Sequence, residues 1–226
     1  MSQPPLLLTA QGIAKAYGSF RRHYVLREVS FTVASGTLVG IVGENGAGKS
    51  TLLKVLAGEM RPDRGRVKLE GALGYCPQEV ILNDMLSVAQ HLEYFAAAYG
   101  IRDLRRADEL VHQLAYQQYQ HATVATLSGG TKQKLNLTLA LMHDPRVLLL
   151  DEPYQGFDWE TYLRFWDLAS ALRARGCAVL VISHLVFDQQ RFDALYQLRD
   201  GRLQQLTIPA DPVAPAPPTV TPQEVR

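Results

Sequence analysis

The chain has 226 residues, of which 47% are hydrophobic, enough for one substantial domain or one domain with a subdomain. Its 23 Lys and Arg residues balance its 22 Asp and Glu residues, which argues against a broad basic surface for nucleic acid. Two cysteines, Cys76 and Cys177, are too few for a disulfide scaffold and suit a reducing cytosol. No apolar run approaches the roughly 20 residues that cross a bilayer, and the first residues lack the pattern of a signal peptide.

The first third of the chain is predicted to be rich in β-strands. The expected strands are 6–9, 31–33, 38–42, 66–70 and 72–76. A turn is expected within 25–30, and another at 62–65, where Pro, Asp and Gly occur together. A helix should begin near Ser50 and end near Gly58, because glycine is a natural helix stop.

The middle of the chain is predicted to be helical, because its hydrophobic period lengthens from two residues to about 3.6. Ser87 and Gln90 have the spacing of a capping box at a helix start. Further helices are expected at 104–119 and 131–142. The segment 84–142 is therefore predicted to be a helical insertion between β-rich segments.

The last third of the chain returns to buried strands, which are expected at 147–150 and 178–182. Between them, Asp158 should cap a helix that Gly176 stops. Alternating strands and helices predict an α/β fold with a mainly parallel sheet and helices on both faces. The segment 208–226, rich in proline, is expected to be a disordered tail.

Residues 43–51 form the first motif that indicates a ligand. They read Gly-Glu-Asn-Gly-Ala-Gly-Lys-Ser-Thr and follow the apolar strand at 38–42. Glycines let several backbone N–H groups converge on one anion, and the next helix presents its positive end to it. Lys49 supplies a positive charge for β- and γ-phosphates, and the Ser50 hydroxyl can bind Mg²⁺. The sequence therefore predicts a nucleotide phosphate site.

The second motif is Leu127-Ser128-Gly129-Gly130, which precedes the helix expected at 131–142. This is a second helix start of the kind that binds anions. The two motifs together, in this order, resemble the ATP-binding cassette (ABC) ATPase family, in which the second motif is the signature sequence. The resemblance covers about residues 10–207.

The resemblance implies a fold and a division of the chain. The expected fold is a P-loop NTPase (RecA-like) core with a short antiparallel β subdomain and an inserted α-helical subdomain. The core with its β subdomain would occupy 1–83 and 143–207, and the helical signature subdomain would occupy 84–142. A third interpretation, as a nucleotide kinase or GTPase, is disfavoured by the signature motif and by the lack of a guanine-recognition Asn-Lys-x-Asp motif.

Catalytic roles follow from the same resemblance. Asp151, at the end of a strand, would hold Mg²⁺ together with Ser50 and Gln78. Glu152 would polarise the attacking water, while His184 would contact the γ-phosphate and Gln78 would reach the metal or the water. A solvated acidic turn, a structural histidine and an ordinary surface glutamine are the alternatives.

The resemblance also assigns nucleotide contacts. Those expected from one chain are Tyr17, Gly43, Asn45, Gly46, Gly48, Lys49, Ser50 and Thr51. Tyr17 would stack on adenine, with Tyr24 as a nearby competitor. Ser128, Gly129 and Gly130 would close on the ATP of a second copy in a head-to-tail dimer, for which an intrachain turn is the alternative.

The implied partners are a second ABC ATPase subunit and a separate multispan membrane permease, with no nucleic acid. The chain would then lie at the cytoplasmic face of the cell membrane. Thr131 stands where glutamine is commonest in the signature, and Thr131-Lys-Gln-Lys looks more like the ABC-2 type exporter ATPases. Tyr154, Gln155 and Phe157 depart from the family's D-loop. A cytosolic ABC ATPase that serves no transporter is the alternative function.

Overall fold

The structure is a computed structural model that describes residues 4–18, 22–79, 82–183 and 189–208. Nine strands form two sheets within these residues. The strands are β1 (Leu6–Tyr17), β2 (His23–Ala34), β3 (Leu38–Val42), β4 (Arg64–Leu69), β5 (Leu73–Cys76), β6 (Val147–Asp151), β7 (Ala178–Ser183), β8 (Ala194–Arg199) and β9 (Arg202–Leu206). The helices are α1 (Lys49–Leu56), α2 (Val88–Tyr99), α3 (Arg105–Gln113), α4 (Gly129–Leu141) and α5 (Trp159–Ala174).

The larger sheet has six strands in the order β5-β6-β7-β3-β8-β9. All neighbouring pairs in it are parallel except β8 and β9. Strands β3, β6 and β7 are buried almost throughout, as expected for parallel strands covered on both faces. Their carboxyl ends therefore meet at one edge, where the residues after β3, β5, β6 and β7 can converge.

The smaller sheet is antiparallel, with the order β2-β1-β4. Its two long strands correct the sequence prediction, because 25–30 lies inside β2 and forms no turn between short strands. The pairing of β1 with β2 continues past shifts in register between Ala10 and Lys15. Gly12 and Glu28, with φ of 60° and 57°, absorb the extra residues as bulges do. The residues that predict turns in the sequence could not show that β1 and β2 pair along their whole length.

The helical segment follows the prediction at its start and departs from it later. Ser87 and Gln90 form the expected capping box, in which each side chain pairs with the other residue's backbone N–H. The helix expected at 104–119 is wrong in extent. α3 ends at Gln113 and Ala115 has φ of 53°, which breaks the helix before a short 3-10 turn at Gln117–Tyr119.

Two hydrophobic clusters fill the interior. One joins the inserted helices to α5 and one face of the parallel sheet, and Tyr116, Leu135 and Trp166 belong to it. The other joins the antiparallel sheet to α1 and the opposite face. Trp166 on α5 is buried in the first cluster, whereas Trp159 at the start of the same helix is 47% exposed. In the described part of the chain no helix is long and apolar enough to cross a membrane.

α4 packs closely against β5 at Gly74. A Cβ atom on Gly74 would overlap the carbonyl oxygen of Ala140 and would lie 2.8 Å from Cγ of Pro145. Only a glycine at position 74 lets the helix backbone approach the strand so closely. The contact therefore fixes the signature helix against the sheet.

We expect Gly74→Ala to destabilise the protein by about 1–3 kcal/mol, the usual cost of overpacking. Urea unfolding followed by circular dichroism measures the change. Gly129→Ala is the matched control, because a Cβ atom there meets nothing within 4 Å. Its stability should change by less than about 0.5 kcal/mol. Equal stability of the two variants would contradict the tight contact.

Candidate nucleotide site

A cavity of about 390 Å³ lies at the carboxyl edge of the parallel strands, beside the start of α1. It is lined by Val25, Asn45, Gly46, Gly48, Lys49, Ser50, Thr51, Gln78, Asp151, Glu152 and Gln155. Nearly all of these residues come from the motifs that the sequence singled out. The structure thus brings the glycine-rich loop, the end of β6 and the loop after β5 together around one space.

The glycine-rich loop adopts a backbone that only glycine tolerates well. Gly46 and Gly48 have φ of 81° and 101°. A Cβ atom on Gly48 would also lie 2.7 Å from Cγ1 of Val25, so both the conformation and the space demand glycine. Such a loop directs consecutive N–H groups toward an anion at the start of α1.

Lys49 follows this loop as the first residue of α1 and is only 8% exposed. Its Nζ atom donates to the carbonyl oxygens of Gly43 and Glu44 at 2.7 and 3.0 Å. Gly43 contributes to the site through this carbonyl and does not line the cavity. The buried ammonium group is therefore held by the loop that would surround phosphate, where its charge is poorly screened.

Two neighbouring carboxylates face the loop from the end of β6. Asp151 is 3% exposed, and burial raises the pKa of its carboxyl group while a hydrogen bond with the Ser50 side chain opposes the rise. Glu152 is 6% exposed and accepts a hydrogen bond at 3.1 Å from the Ser183 hydroxyl. Its φ of 49° is unusual for a residue with a side chain, and such strain is often found at functional sites.

The oxygen atoms around Asp151 suit Mg²⁺. A buried carboxylate, the Ser50 hydroxyl and the Gln78 amide are all hard ligands, and all three residues line the cavity. Among the described residues there is no group of three or more His, Cys, Asp or Glu that would form an all-protein metal cage. The arrangement fits a metal ion that takes some ligands from the protein and the others from phosphate oxygens.

Two cavity residues were not predicted as site residues. Val25 packs against Gly48, and Gln155 reaches the cavity from the loop after Glu152. The unusual Gln155 was noticed only as a departure in the D-loop. Neither residue belongs to a phosphate motif, so only their position in space assigns them to the cavity.

Tyr17 lies near the loop but does not line this cavity. Its hydroxyl is 3.4 Å from Oγ1 of Thr51 and 3.2 Å from Sδ of Met60, and its ring is exposed. Tyr24 lines a neighbouring cavity of about 440 Å³ on the other side of the loop, with the Arg27 guanidinium 5.9 Å from its ring centre. Tyr17 is thus the tyrosine that lies beside α1.

The signature residues lie apart from the cavity. Ser128 caps α4 by accepting a hydrogen bond from the Thr131 backbone N–H at 3.2 Å. Gly129 has open space around it, whereas Gly130 packs against the backbone of Gly156. One chain therefore holds two separate anion-type helix starts. His184, expected to contact the γ-phosphate, lies outside the described residues.

Comparison with known proteins decides the family. The family model described as ABC transporter matches residues 26–155, which include the glycine-rich loop, the signature and the Asp151-Glu152 pair. The chain belongs to the ABC transporter family. It is the ATPase cassette of that family, which confirms both the family and the P-loop NTPase fold that the two motifs predicted.

Relatives of this cassette occur in bacteria and in mammals. The chain is 35% identical over 216 residues to the lipopolysaccharide export system ATP-binding protein LptB of Acidithiobacillus ferridurans, covering 87% of this chain and 88% of LptB. It is 40% identical over 219 residues to the mouse ABC-type organic anion transporter ABCA8A, covering 87% of this chain. The chain spans only 14% of that long mouse protein and 12% of human ATP-binding cassette sub-family A member 9.

Solved structures agree on the fold. An ATP-binding subunit of an ABC transporter superposes with a TM-score of 0.81 at 27% identity, covering 88% of this chain and 90% of that chain. A dimeric bacterial ABC transporter cassette superposes with a TM-score of 0.82 at 22% identity, covering 91% of this chain and all of that chain. The mixed α/β architecture of this cassette is therefore that of the ABC ATPases.

We expect Asp151→Asn to stabilise the cassette in the absence of nucleotide and Mg²⁺ while removing Mg²⁺-dependent ATPase activity. Burial raises the pKa of Asp151 in the folded protein above 3.8, its value in the unfolded chain. Protonation of Asp151 therefore stabilises the folded protein, and this contribution is fully present below pH 3.8. That gain is lost as pH rises through the raised value, so the ionised group lowers stability near neutral pH.

Melting temperature at several pH values measures this effect, and about 1 kcal/mol corresponds to roughly 2–4 °C in a domain of this size. The variant should melt higher than the wild type near pH 7, and the difference should shrink in acid. Glu109→Gln, which changes an exposed carboxylate on α3, should leave the melting temperature nearly unchanged. A variant that melts lower than the wild type at pH 7 would contradict the assigned cost of burying the charge.

Proposed function

We propose that this cassette binds ATP with Mg²⁺ at residues 43–51 and hydrolyses it with Glu152 as the general base. The observation that carries the proposal is the single cavity that Lys49, Asp151, Glu152 and Gln78 share. These residues come from three separate segments of the chain. A purely structural role would not explain why they converge on one cavity.

The roles follow from chemistry and position. The loop N–H groups and the Lys49 ammonium would bind the β- and γ-phosphates. Ser50, Asp151 and Gln78 would hold Mg²⁺, which supplies charge neutralisation for the phosphate oxygens when it is bound. Glu152 is oriented by Ser183 and would accept a proton from the attacking water. Tyr17 would stack on the base beside α1.

The second half of the proposal is a head-to-tail dimer around two ATP molecules. Ser128, Gly129 and Gly130 begin α4 but do not reach the cavity of their own chain. A second copy would bring its own signature to this cavity and complete it. The match to a dimeric cassette supports the fold that such a dimer requires.

The membrane partner and the direction of transport are inferred from the relatives. LptB is named as part of an export system and ABCA8A as an organic anion transporter. We therefore propose that the dimer drives a separate multispan permease, as an exporter, from the cytoplasmic face of the membrane. The helical segment 84–142 would serve as the subdomain that carries the signature, inserted between core segments 1–83 and 143–207. Co-purification with a multispan membrane protein would favour this function over a cytosolic ABC ATPase.

We expect Lys49→Ala to abolish nucleotide binding, because the β- and γ-phosphates lose a buried cation. Isothermal titration with ATP and Mg²⁺ measures the loss. Lys68→Ala, which removes an exposed lysine paired with Glu70 on the surface, should bind ATP as the wild type does. Unchanged ATP affinity in Lys49→Ala would remove Lys49 from the site.

Glu152→Gln should keep ATP binding but lower the rate of hydrolysis by about 100-fold or more, since an amide cannot accept the proton. An ATP-bound dimer should accumulate, because its two pockets close but do not turn over. Phosphate release and light scattering with ATP and Mg²⁺ measure the two effects. Near-normal hydrolysis would place the general base elsewhere.

A further inference from the structure

The signature helix α4 buries two amide side chains one turn apart. Gln133 is 4% exposed and Asn136 is 8% exposed, and both lie among buried leucines of the helix. A buried amide lowers stability unless its polar atoms find partners. The partners of these two amides therefore show what the positions require.

Both amides point to backbone carbonyls at the edge of the parallel sheet. Nδ2 of Asn136 donates to the carbonyl oxygen of Pro77 at 3.0 Å. Nε2 of Gln133 donates to the carbonyl oxygen of Pro153 at 3.4 Å and lies 3.8 Å from Sγ of Cys76. We call this pair of contacts the amide bridge.

The two prolines follow the ends of two neighbouring strands. β5 and β6 are neighbouring parallel strands, and Pro77 follows the end of β5 directly. Pro153 follows β6 after one further residue, Glu152. Pro77 therefore adjoins Gln78, and Pro153 adjoins Glu152. The amide bridge thus contacts the backbone next to two cavity residues.

Backbone packing prevents α4 from moving independently of these loops. Near its end the helix touches β5, where Ala140 leaves no room for a Cβ atom on Gly74. At its start Gly130 packs against the carbonyl of Gly156, four residues after Glu152. A shift of α4 would therefore displace the loops after β5 and β6, or break these contacts.

We propose that Gln133 and Asn136 are positioning residues that couple the signature helix to the chain's own ATP cavity. Through the amide bridge, the position of α4 sets the positions of Gln78 and Glu152. This inference rests on the proposed function, since it takes the roles of Gln78 and Glu152 from there. Ser128, Gly129 and Gly130 begin the same helix. Contact between this signature and the ATP bound by a second copy would therefore shift Gln78 and Glu152 in the chain that supplies the signature.

The experiment replaces each donor with an apolar side chain of similar length. Asn136→Leu and Gln133→Met are the two variants, and each leaves a proline carbonyl without its amide partner. We expect kcat for ATP hydrolysis to fall about fivefold to tenfold in each, the effect of one lost hydrogen bond on a positioned group. ATP affinity measured by titration should change by less than about twofold, because Lys49 and the glycine-rich loop are untouched.

The two arms of the bridge should differ in a way that a general loss of stability cannot reproduce. Asn136→Leu should raise the Mg²⁺ concentration that gives half-maximal activity, because the amide bridge would no longer position Gln78. Gln133→Met should lower kcat at saturating Mg²⁺ without that change, because it acts beside Glu152. Asn136→Ala repeats the first test if the leucine variant folds poorly.

Tyr116→Phe is the matched control, because it removes a different buried hydrogen bond to α4. The Tyr116 hydroxyl donates to Oγ1 of Thr138 at 2.7 Å in the interior, and this hydrogen bond does not involve the loops after β5 and β6. This variant should lower the melting temperature and leave kcat and the Mg²⁺ dependence unchanged. A fall in kcat in Tyr116→Phe equal to that in the bridge variants would overturn the inference.

The inference also fails if Asn136→Leu and Gln133→Met hydrolyse ATP at the wild-type rate with wild-type Mg²⁺ dependence. That outcome is distinct from failure of the proposed function. The proposed function fails if the wild-type protein does not hydrolyse ATP, or if Glu152→Gln hydrolyses it normally. Wild-type hydrolysis that depends on Glu152, with no effect of the bridge variants, overturns only the amide bridge.

Discussion

The main constraint on the structure of this cassette is the burial of two charged groups at one edge of a parallel sheet. Lys49 and Asp151 are both nearly inaccessible, and buried charges are tolerated only where hydrogen bonds or opposite charges compensate for lost water. Loop carbonyls hold the ammonium group, and Ser50 holds the carboxylate. The glycine-rich loop, β3 and β6 must all be in place for this compensation, so the site depends on the surrounding core.

The inserted helices are integrated with the sheet and do not form a separate bundle. One hydrophobic cluster includes Tyr116 and Leu135 from the insertion together with Trp166 of α5 and Val181 of the sheet. Two glycine contacts and the amide bridge then add directional contacts to this apolar packing. A helix held in this way can transmit a small displacement, because a close-packed interior does not absorb it.

Features encoded by short stretches of sequence were predicted well. The strand–loop–helix at 38–56, the capping box of Ser87 with Gln90, and the Asp158 cap on α5 all have the expected form. Each depends on neighbours within about four residues. Errors arose where long-range pairing overrides local signals, as in β2, which runs through the turn expected at 25–30 because β1 pairs with it across a bulge.

The sequence by itself determined the class of ligand and the family, because both are written in contiguous motifs whose glycines, lysine and hydroxyls act on phosphate through local geometry. Only the tertiary structure decided which distant residues meet. Gln78 and Asp151 line one cavity because β5 and β6 are adjacent parallel strands, and Gln155 reaches the same cavity. It also decided that Gln133 and Asn136 face inward, since helical periodicity cannot say which carbonyl a buried amide will find.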